Sequence, residues 1–348
     1  MEMQPLLFNL SLELRFNIDL MTYKLSEISE KIDCKILGNE NLEIHSISSN
    51  KNPRSHTIVQ ISSYKNLDEG KLPENIAILT NLSVYKKFIK PQRFHFLISE
   101  DIKLDFALLT SFFKREVSMP KPKLIEPNKN EIWIGVNVDY GKNFRYGINC
   151  LIEDGSKIGR NVRLGNNVII HSETVIGDDV TIDSGTIIGS EGFGNVLDSK
   201  KTWHHINHIG NVILKDSISI GSNCCIDRAT LDSTIIGSGV IIDNLVHIAH
   251  NVTIGENTAI AAKVGIAGSC EIGKRNMIGG MVGIVDHIET TNDVVISATS
   301  SVTNDLMEPG TYTGIMPISR HSSWKRIAFW ITKLDKIVKK FNIKISKL

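Results

Sequence analysis

The sequence predicts a mainly β protein built around a parallel coil of short stacked strands, with a small α/β domain before the coil and a helical tail after it. Three observations favour this fold class. From Ile134 onward an aliphatic residue recurs every six positions, often followed by glycine. No proline occurs between Pro127 and Pro309, and no Phe, Tyr or Trp occurs between Trp203 and Tyr312. So long a segment without aromatic side chains must build a narrow aliphatic core.

The six-residue repeat determines the shape of the coil. Eleven of the twelve positions in its longest series are Ile or Val. The series is Ile236, Ile242, Ile248, Ile254, Ile260, Ile266, Ile272, Ile278, Ile284, Thr290, Ile296 and Val302. A helix would need spacings of three and four residues, and a flat sheet would show polar turns between strands. A coil of three six-residue sides fits, and its corners should take residues that tolerate positive φ, for which we expect glycine.

Two interruptions of the repeat indicate binding loops. Between Ile188 and Leu214 a polar segment with three histidines must leave the coil. Between Ile226 and Ile236 the spacing is ten, from which we expect a shortened side. Loops that leave a regular solenoid commonly carry function.

The chain divides into four parts. Residues 1–20 do not read as a signal peptide and are interpreted as an upstream extension. Residues 21–125 alternate short helical and strand patterns, and residues 131–308 hold the repeat. Residues 309–348 have helical spacing and many lysines. We expect this tail to pack on the last coil; the alternative is a docking surface for an acidic protein.

Charge and composition exclude several functional classes. Lys and Arg number 39 against 38 Asp and Glu, a net charge of +1 that gives no strong field to recruit nucleic acid or an anionic membrane. No apolar run approaches the roughly 18 residues of a membrane span, so stable membrane insertion is not expected. The five cysteines form no C-x-x-C pair, which favours a reducing, cytoplasmic location.

Counting along the coil places two histidines on one edge. His250 is the third residue of its side, and Gly268 lies 18 residues, or one full rung, further on. His287 falls on the same edge about 10 Å from His250 along the axis. The two imidazoles are therefore too far apart to hydrogen-bond to each other, but they can bracket a substrate lying along the edge.

Several segments carry a resemblance to a known family. They are residues 189–194 (GSEGFG), 226–229 (IDRA), 242–251 (IDNLVHIAHN), 267–269 (AGS) and 277–280 (MIGG), with Gly314, Ile315, Pro317 and Trp324. Together they resemble the UDP-3-O-acylglucosamine N-acyltransferases, members of the hexapeptide-repeat acyltransferases. The resemblance covers residues 21–340 in layout and is strongest over residues 188–290. It implies a left-handed parallel β-helix, a homotrimer and a nucleotide-binding-like N-terminal domain.

The resemblance also implies a reaction. A 3-hydroxyacyl chain would pass from the phosphopantetheine of acyl carrier protein to the 2-amine of UDP-3-O-acylglucosamine, a step of lipid A and hence lipopolysaccharide biosynthesis. No metal and no further cofactor are implied. Acyl carrier protein and the UDP-sugar would be the partners.

The resemblance assigns roles to seven residues. His250 would be the general base, because a neutral imidazole accepts a proton near neutral pH. Asp243 would hold the tautomer of that ring, and the Gly268 N–H would stabilise the oxyanion. The substrate-binding set is His287, Asn244, Phe193 and Tyr64. Hydrogen bonds to corner backbone groups are the alternative role for Asp243 and Asn244.

The chain departs from the family pattern at two places. Val59 stands where the uridine-binding segment has Phe, and Ser62 and Ser63 stand where it has Asn-Pro, while Tyr64 remains to stack on a base. Residues 298–303 are small, whereas the family's acyl groove often carries methionines there. We therefore expect altered nucleotide contacts and acceptance of longer acyl chains.

Three other functions remain open at this stage. One is a sugar acyltransferase of the same fold that uses acetyl-CoA. Another is a zinc hydratase with His247, His250 and His287 as ligands. The third is a divergent paralogue without catalytic activity, acting as a scaffold.

Overall fold

The computed structural model describes residues 22–114, 132–314 and 318–340. The extension at residues 1–20, the proline-rich linker at residues 119–127, and Ile315 and Pro317 lie outside the described residues. The predicted fold class is confirmed: a parallel β-helix with a small α/β region before it and helices after it.

Three parallel sheets form the walls of the coil, and the chain visits them in the order first face, second face, third face. The first face contains Ile132–Ile134, Cys150–Ile152, Ile169–Ile170, Ile187–Ser190, Cys225–Asp227, His247–Ile248, Gly265–Ile266, Gly283–Ile284 and Ser301–Val302. The second face contains Asp139–Tyr140, Lys157–Ile158, Val175–Ile176, Asn211–Leu214, Ser233–Ile236, Thr253–Ile254 and Glu271–Ile272. The third face contains Arg163–Leu164, Thr181–Ile182, Ser219–Ile220, Ile241–Ile242, Ala259–Ile260, Met277–Ile278, Val294–Ile296 and Gly310–Tyr312.

The interior of the coil is the aliphatic column that the repeat predicts. All twelve positions of the longest series are buried, with Ile248 and Ile266 fully so. Small residues two positions before each of these, such as Val246 and Val264, share the interior. Burying each isoleucine contributes roughly 2 kcal/mol before entropy is counted. The three-sided bore leaves no room for rings, which explains the aromatic gap.

The corners differ from the expectation that glycine supplies positive φ. Most residues with positive φ are not glycine, and Asn161, Asn167 and Asp179 are examples. Asn and Asp tolerate this region because their short side chains hydrogen-bond locally. The glycines of the repeat serve close stacking instead: a Cβ built on Gly159 would lie 2.3 Å from the carbonyl oxygen of Gly177 in the next rung.

Both interruptions of the repeat fall on the edge between the first and second faces. The first joins strand Ile187–Ser190 to Asn211–Leu214 and contains an antiparallel hairpin, Asn195–Leu197 with Trp203–His205. The second joins Cys225–Asp227 to Ser233–Ile236. The expectation of a shortened side there was wrong. These strands belong to consecutive faces, so a spacing of ten instead of six means that four residues are inserted at the corner.

A five-stranded sheet forms the centre of the N-terminal region. Its order is Lys35–Leu37, His95–Ile98, Ala77–Thr80, Thr57–Gln60 and Ser46–Ser48, with only the first strand antiparallel to its neighbour. Tyr23–Lys24 and Glu43–Ile44 form a separate pair. The helices are Leu25–Ile32, Leu82–Tyr85 and Ile102–Phe112, with 3-10 turns at Glu69–Lys71 and Pro91–Arg93. Leu25–Ile32 packs its apolar face, Leu25, Ile28 and Ile32, into the core of this region.

The C-terminal helices are His321–Ile331 and Leu334–Lys340. No residue of the first of these helices is buried, so the expected packing on the last coil is wrong for the single chain. Trp324 and Trp330 are half exposed. No helix in the described part of the chain has the length and apolar character that a bilayer crossing requires. All five cysteines are free thiols.

Candidate active site

The edge between the first and second faces carries the candidate site. His250 follows strand His247–Ile248 at this edge and is half-buried. Its carbonyl oxygen accepts the Ser269 N–H at 2.9 Å, and the Gly268 carbonyl accepts the His287 N–H at 3.0 Å. This ladder places His250, Gly268 and His287 on successive rungs of one edge, in the arrangement obtained by counting.

The side chain of Asn251 fixes the tautomer of His250. Its Oδ1 accepts the Thr230 N–H at 2.9 Å, and its Nδ2 donates to the Leu231 carbonyl at 2.8 Å, which sets the orientation of the amide. The same Oδ1 lies 3.2 Å from Nδ1 of His250. Because an amide oxygen only accepts, Nδ1 carries the proton. Nε2 of His250 is therefore left with a lone pair, which a general base requires.

Asp243 does not reach His250 within the chain. It follows strand Ile241–Ile242 at the edge between the third and first faces, and its Oδ1 accepts from the backbone and side-chain nitrogens of Asn244 at 2.7 and 2.9 Å. No hydrogen bond among the described residues joins Asp243 to His250. The predicted orienting role of Asp243 is thus performed by Asn251 in the single chain. Asn251, the corner residue that follows His250 in sequence, is within reach of Nδ1 of His250.

Gly268 lies directly beneath the imidazole of His250. A Cβ built on Gly268 would lie 2.6 Å from Cε1 and 2.7 Å from Nε2 of that ring. Any side chain would therefore displace the imidazole. Within the described part of the chain the Gly268 N–H donates no hydrogen bond. A free N–H beside the unprotonated Nε2 suits the oxyanion role that was predicted for it.

His208, which the sequence analysis did not select, packs against His250. The two ring centroids are 5.0 Å apart in an edge-to-face arrangement, and His208 is only 5% exposed. Neither of its ring nitrogens has a hydrogen-bond partner among the described residues. Burial, with the neighbouring His250 second, lowers the pKa of His208 to about 4. It is therefore neutral at pH 7. The sequence signal that could have indicated His208 is the pair Gly192 and Gly194 around Phe193, which leaves space for this ring.

The N-terminal region holds the loop that carries His208. The N–H and the side-chain amide of Asn207 donate to Oγ1 of Thr110, at 3.0 and 3.3 Å, on helix Ile102–Phe112. Ile206, Ile209 and Leu231 pack against the core of the N-terminal region. The wall beside His250 is thus built from two distant parts of the sequence, which no local pattern could predict.

The remaining substrate-binding candidates are spread over the molecule. His287 is exposed, with φ of 60°. Phe193 is 87% exposed at the tip of the loop, between the two glycines that contact His208. Asn244 accepts the Ser222 N–H at 2.7 Å, so it serves the corner backbone, which was its alternative role. Tyr64 lies in the N-terminal region, where its hydroxyl donates to Glu69 at 2.6 Å and its ring packs on Phe88.

Arg228 braces the same edge one rung below His250 and was also not selected. Its guanidinium donates to the Gly189 carbonyl at 2.8 Å and to the Ser172 carbonyl at 2.8 Å. Glu153 and His171 form an adjacent pair at 3.2 Å. Burial lowers the pKa of Arg228 from its usual value, and the nearby Glu153 and Glu191 oppose this shift. A guanidinium remains charged throughout, so it anchors the start of the inserted loop.

A groove of about 610 Å³ runs along the third face. The outward residues Ile241, Ala259, Met277 and Val295 form its floor, and Ala298 lies at its end. Ile241 and Met277 are more than half exposed. Asp243 borders this groove, whereas His250 lies on a different edge of the chain. Ala298 agrees with the expectation of small residues at positions 298–303 of an acyl groove. The groove does contain a methionine, but at position 277.

Two groups of side chains bring potential metal ligands within 4.8 Å of one another. One comprises Glu191, His205 and His208, and the other comprises Cys225, Asp227 and His247. Neither is the set His247, His250 and His287 that a zinc hydratase was expected to use. In the described chain His247 lies 3.6 Å from Asp227, in the second group.

Comparisons with known proteins agree with the fold. Residues 233–268 match the family model described as Bacterial transferase hexapeptide (six repeats). The chain is 35% identical over 316 residues to a UDP-3-O-acylglucosamine N-acyltransferase of Acinetobacter baumannii, covering 87% of this chain and 88% of that protein. It is 42% identical over 161 residues to the Coxiella burnetii protein of the same name, covering 46% of each. A solved UDP-N-acetylglucosamine acyltransferase from Campylobacter jejuni aligns with TM-score 0.47 and 22% identity, over 54% of this chain and 71% of that one.

The hexapeptide coil and these matches define the chain as a hexapeptide-repeat acyltransferase. More narrowly, it belongs to the UDP-3-O-acylglucosamine N-acyltransferase family.

Proposed function

We propose that the protein transfers a 3-hydroxyacyl chain from acyl carrier protein to the 2-amine of UDP-3-O-acylglucosamine, in the cytoplasm and as a step of lipid A biosynthesis, with His250 as the general base. The observation that carries this proposal is the tautomer of His250. Asn251 binds the protonated Nδ1 and leaves the Nε2 lone pair beside the free N–H of Gly268. Membership of the family supports the acceptor and the reaction type.

The geometry supports an ordinary addition and elimination. The sugar amine attacks the thioester carbonyl while Nε2 of His250 takes the proton from nitrogen. Negative charge then develops on the carbonyl oxygen, where the Gly268 N–H would donate. Collapse of this intermediate breaks the carbon–sulfur bond, and the imidazolium returns its proton to the phosphopantetheine thiolate. The inserted loop and His208 cover one side of the ring and limit the access of water.

The proposed assembly is a homotrimer in which each site needs two chains. The apolar groove bordered by Asp243 and the edge of His250 lie on different edges of one chain. A neighbouring copy whose groove lies along this edge would join an acyl-binding surface to the base. It would also bring Asp243 and Asn244 towards the reacting groups, which supports their predicted roles in the assembly rather than in the single chain. His287 and Phe193, both exposed at the edge, would contact the substrate or the carrier arm.

Tyr64 is proposed to stack on the uracil ring of the acceptor. Its hydrogen bond to Glu69 fixes the phenol, and its half-buried ring leaves one part accessible. Val59 is fully buried in strand Thr57–Gln60, so it replaces the expected Phe as a core residue and contributes no aromatic surface. We therefore propose a nucleotide contact that rests on a single aromatic side chain.

An N-acylation assay tests the function directly. The purified protein is given UDP-3-O-acylglucosamine with either a 3-hydroxyacyl thioester of acyl carrier protein or acetyl-CoA. The proposal expects turnover with the carrier thioester and little with acetyl-CoA. Preference for acetyl-CoA would indicate the other class of sugar acyltransferase. Absence of turnover with both donors would indicate a paralogue without catalytic activity.

A further inference from the structure

We propose that Glu191, His205 and His208 bind a zinc ion in the loop beside His250. The three residues lie on the segment that leaves the coil after strand Ile187–Ser190. Their ligand atoms all lie within 4.8 Å of one another. This proposal does not depend on the acyl transfer proposed above and stands on its own geometry.

The unpartnered imidazole of His208 is the first argument. The residue is 95% buried, since its exposed fraction is 5%, yet neither ring nitrogen has a hydrogen-bond partner in the described part of the chain. Leaving a buried polar group without a partner is unfavourable, because nothing replaces the hydrogen bonds that it makes to water in the unfolded chain. A buried histidine is therefore expected to bind something at one of its nitrogens. Glu191 and His205 each offer a ligand atom within 4.8 Å of a ring nitrogen of His208.

The second argument is the arrangement of these two groups. Oε1 of Glu191 lies 2.8 Å from Nε2 of His205 and also accepts the backbone N–H of His208 at 3.2 Å. The carboxylate is thus held between the two histidines. Tetrahedral zinc with bonds of about 2.0–2.2 Å needs its ligand atoms roughly 3.4 Å apart. The ligand atoms can reach this spacing by rotation of the Glu191 and His205 side chains, which are 41% and 42% exposed.

The third argument is the room that the chain makes for the buried ligand. A Cβ built on Gly194 would lie 2.6 Å from Cε1 of His208, and one built on Gly192 would lie 3.0 Å from its Nε2. The two glycines therefore form a cradle that side chains would fill. Two imidazoles and one carboxylate form a ligand set typical of zinc sites that keep a position open to solvent.

The second ligand group is the weaker candidate. Oδ1 of Asp227 already accepts from Ser190 at 2.7 Å and from Cys225 at 3.5 Å, so this carboxylate has hydrogen-bond partners. None of its members is a buried side chain without a partner. It provides the internal comparison for the experiment.

Zinc binding to the full-length protein tests the proposal. The chain is treated with a chelator, desalted, and titrated with Zn²⁺ in equilibrium dialysis, and with Co²⁺ to record visible d–d absorption. Glu191→Gln, His205→Gln and His208→Gln are compared with two controls. His204→Gln lies in the same hairpin but its ring pairs with Asp198, and His247→Gln removes a ligand of the second group.

We expect one zinc per chain and roughly 100-fold weaker binding in each of the three variants, with both controls unchanged. Glu191 is exposed, so Glu191→Gln remains informative if His208→Gln fails to fold. The proposal is overturned if the wild-type chain binds no zinc, if the three variants bind as the wild type does, or if the loss follows His247→Gln.

Discussion

The side-chain oxygen of Asn251 lies 3.2 Å from Nδ1 of His250 and simultaneously accepts the Thr230 N–H from the inserted corner. One amide thus connects the candidate base to the four residues added between the first and second faces. The orientation of the His250 ring depends on the residue that follows it in sequence. Which ring nitrogen of His250 carries the proton can therefore be inferred from the hydrogen bonds of a single corner.

Asn251→Ala should lower kcat by about 10- to 100-fold, because the imidazole loses the acceptor that holds its Nδ1–H. Steady-state kinetics measures the effect. Asn257→Ala is the matched control, since Asn257 is also a corner residue with positive φ, on another edge. Asn251→Ala should also lose more stability in urea unfolding, because its side chain hydrogen-bonds to Thr230 and Leu231. Equal activity of the two variants would contradict a specific role for Asn251.

Gly268→Ala should reduce kcat/KM by about 100-fold or more, because the added methyl group would occupy space 2.6 Å from Cε1 of His250. The φ of Gly268 is not positive, so alanine causes no backbone strain there. Gly283→Ala is the control: its methyl group would meet no atom within 4 Å. If Gly268→Ala retained full activity, the imidazole would not need to lie over this position.

His208 should make the stability of the protein fall in mild acid. Its pKa is about 4 in the folded chain, whereas an unfolded imidazole titrates near 6.5. Between these pH values the unfolded chain takes up a proton that the folded chain does not. The stabilising contribution is therefore present above about pH 6.5 and is lost as the pH falls to about 4, at most about 3 kcal/mol.

Urea unfolding at several pH values, with a chelator present, measures that loss. His208→Gln should show a shallower fall in the free energy of unfolding than the wild type. His321→Gln, on the exposed C-terminal helix, should follow the wild type. Identical pH dependence of the wild type and His208→Gln would show that His208 titrates normally.

The groove on the third face should determine the preferred acyl length. Met277 lies in its floor between Ala259 and Val295, and the small side chain of Ala298 also lines the groove. Met277→Ala should raise kcat/KM for longer donors by about fourfold for each additional methylene that becomes buried. Met307→Ala, exposed outside the groove, should leave the chain-length profile unchanged. A profile that is the same in both variants would remove the groove as the acyl site.

The six-residue period was sufficient to predict the coil, because each rung repeats the same burial requirement and needs only its neighbours. It also placed His250, Gly268 and His287 on one edge. The partners of His250 were harder to predict. His208 reaches it through a loop whose position depends on Thr110, 98 residues earlier in the chain than His208, and Asn251 acts through Thr230 and Leu231. The six-residue period does not predict where residues inserted between its repeats will lie.

The resemblance assigned the orientation of the ring to Asp243, and this role stays a prediction for the assembled protein. In the single chain Asp243 hydrogen-bonds to Asn244. Corners repeat every six residues, so a polar residue at one corner has the same local surroundings as one at any other. Only the stacking of the rungs distinguishes which corner lies beside His250.

Removal of the imidazole at position 250 is the most direct test of the account. His250→Gln keeps a polar side chain of similar size at the edge, and the rate of amine acylation by the carrier thioester is measured against the wild type. A general base supplies roughly 10²–10⁴-fold, so kcat should fall by at least about 100-fold with KM nearly unchanged. A fall of less than about tenfold, in a variant that folds and assembles as the wild type does, would contradict base catalysis by His250.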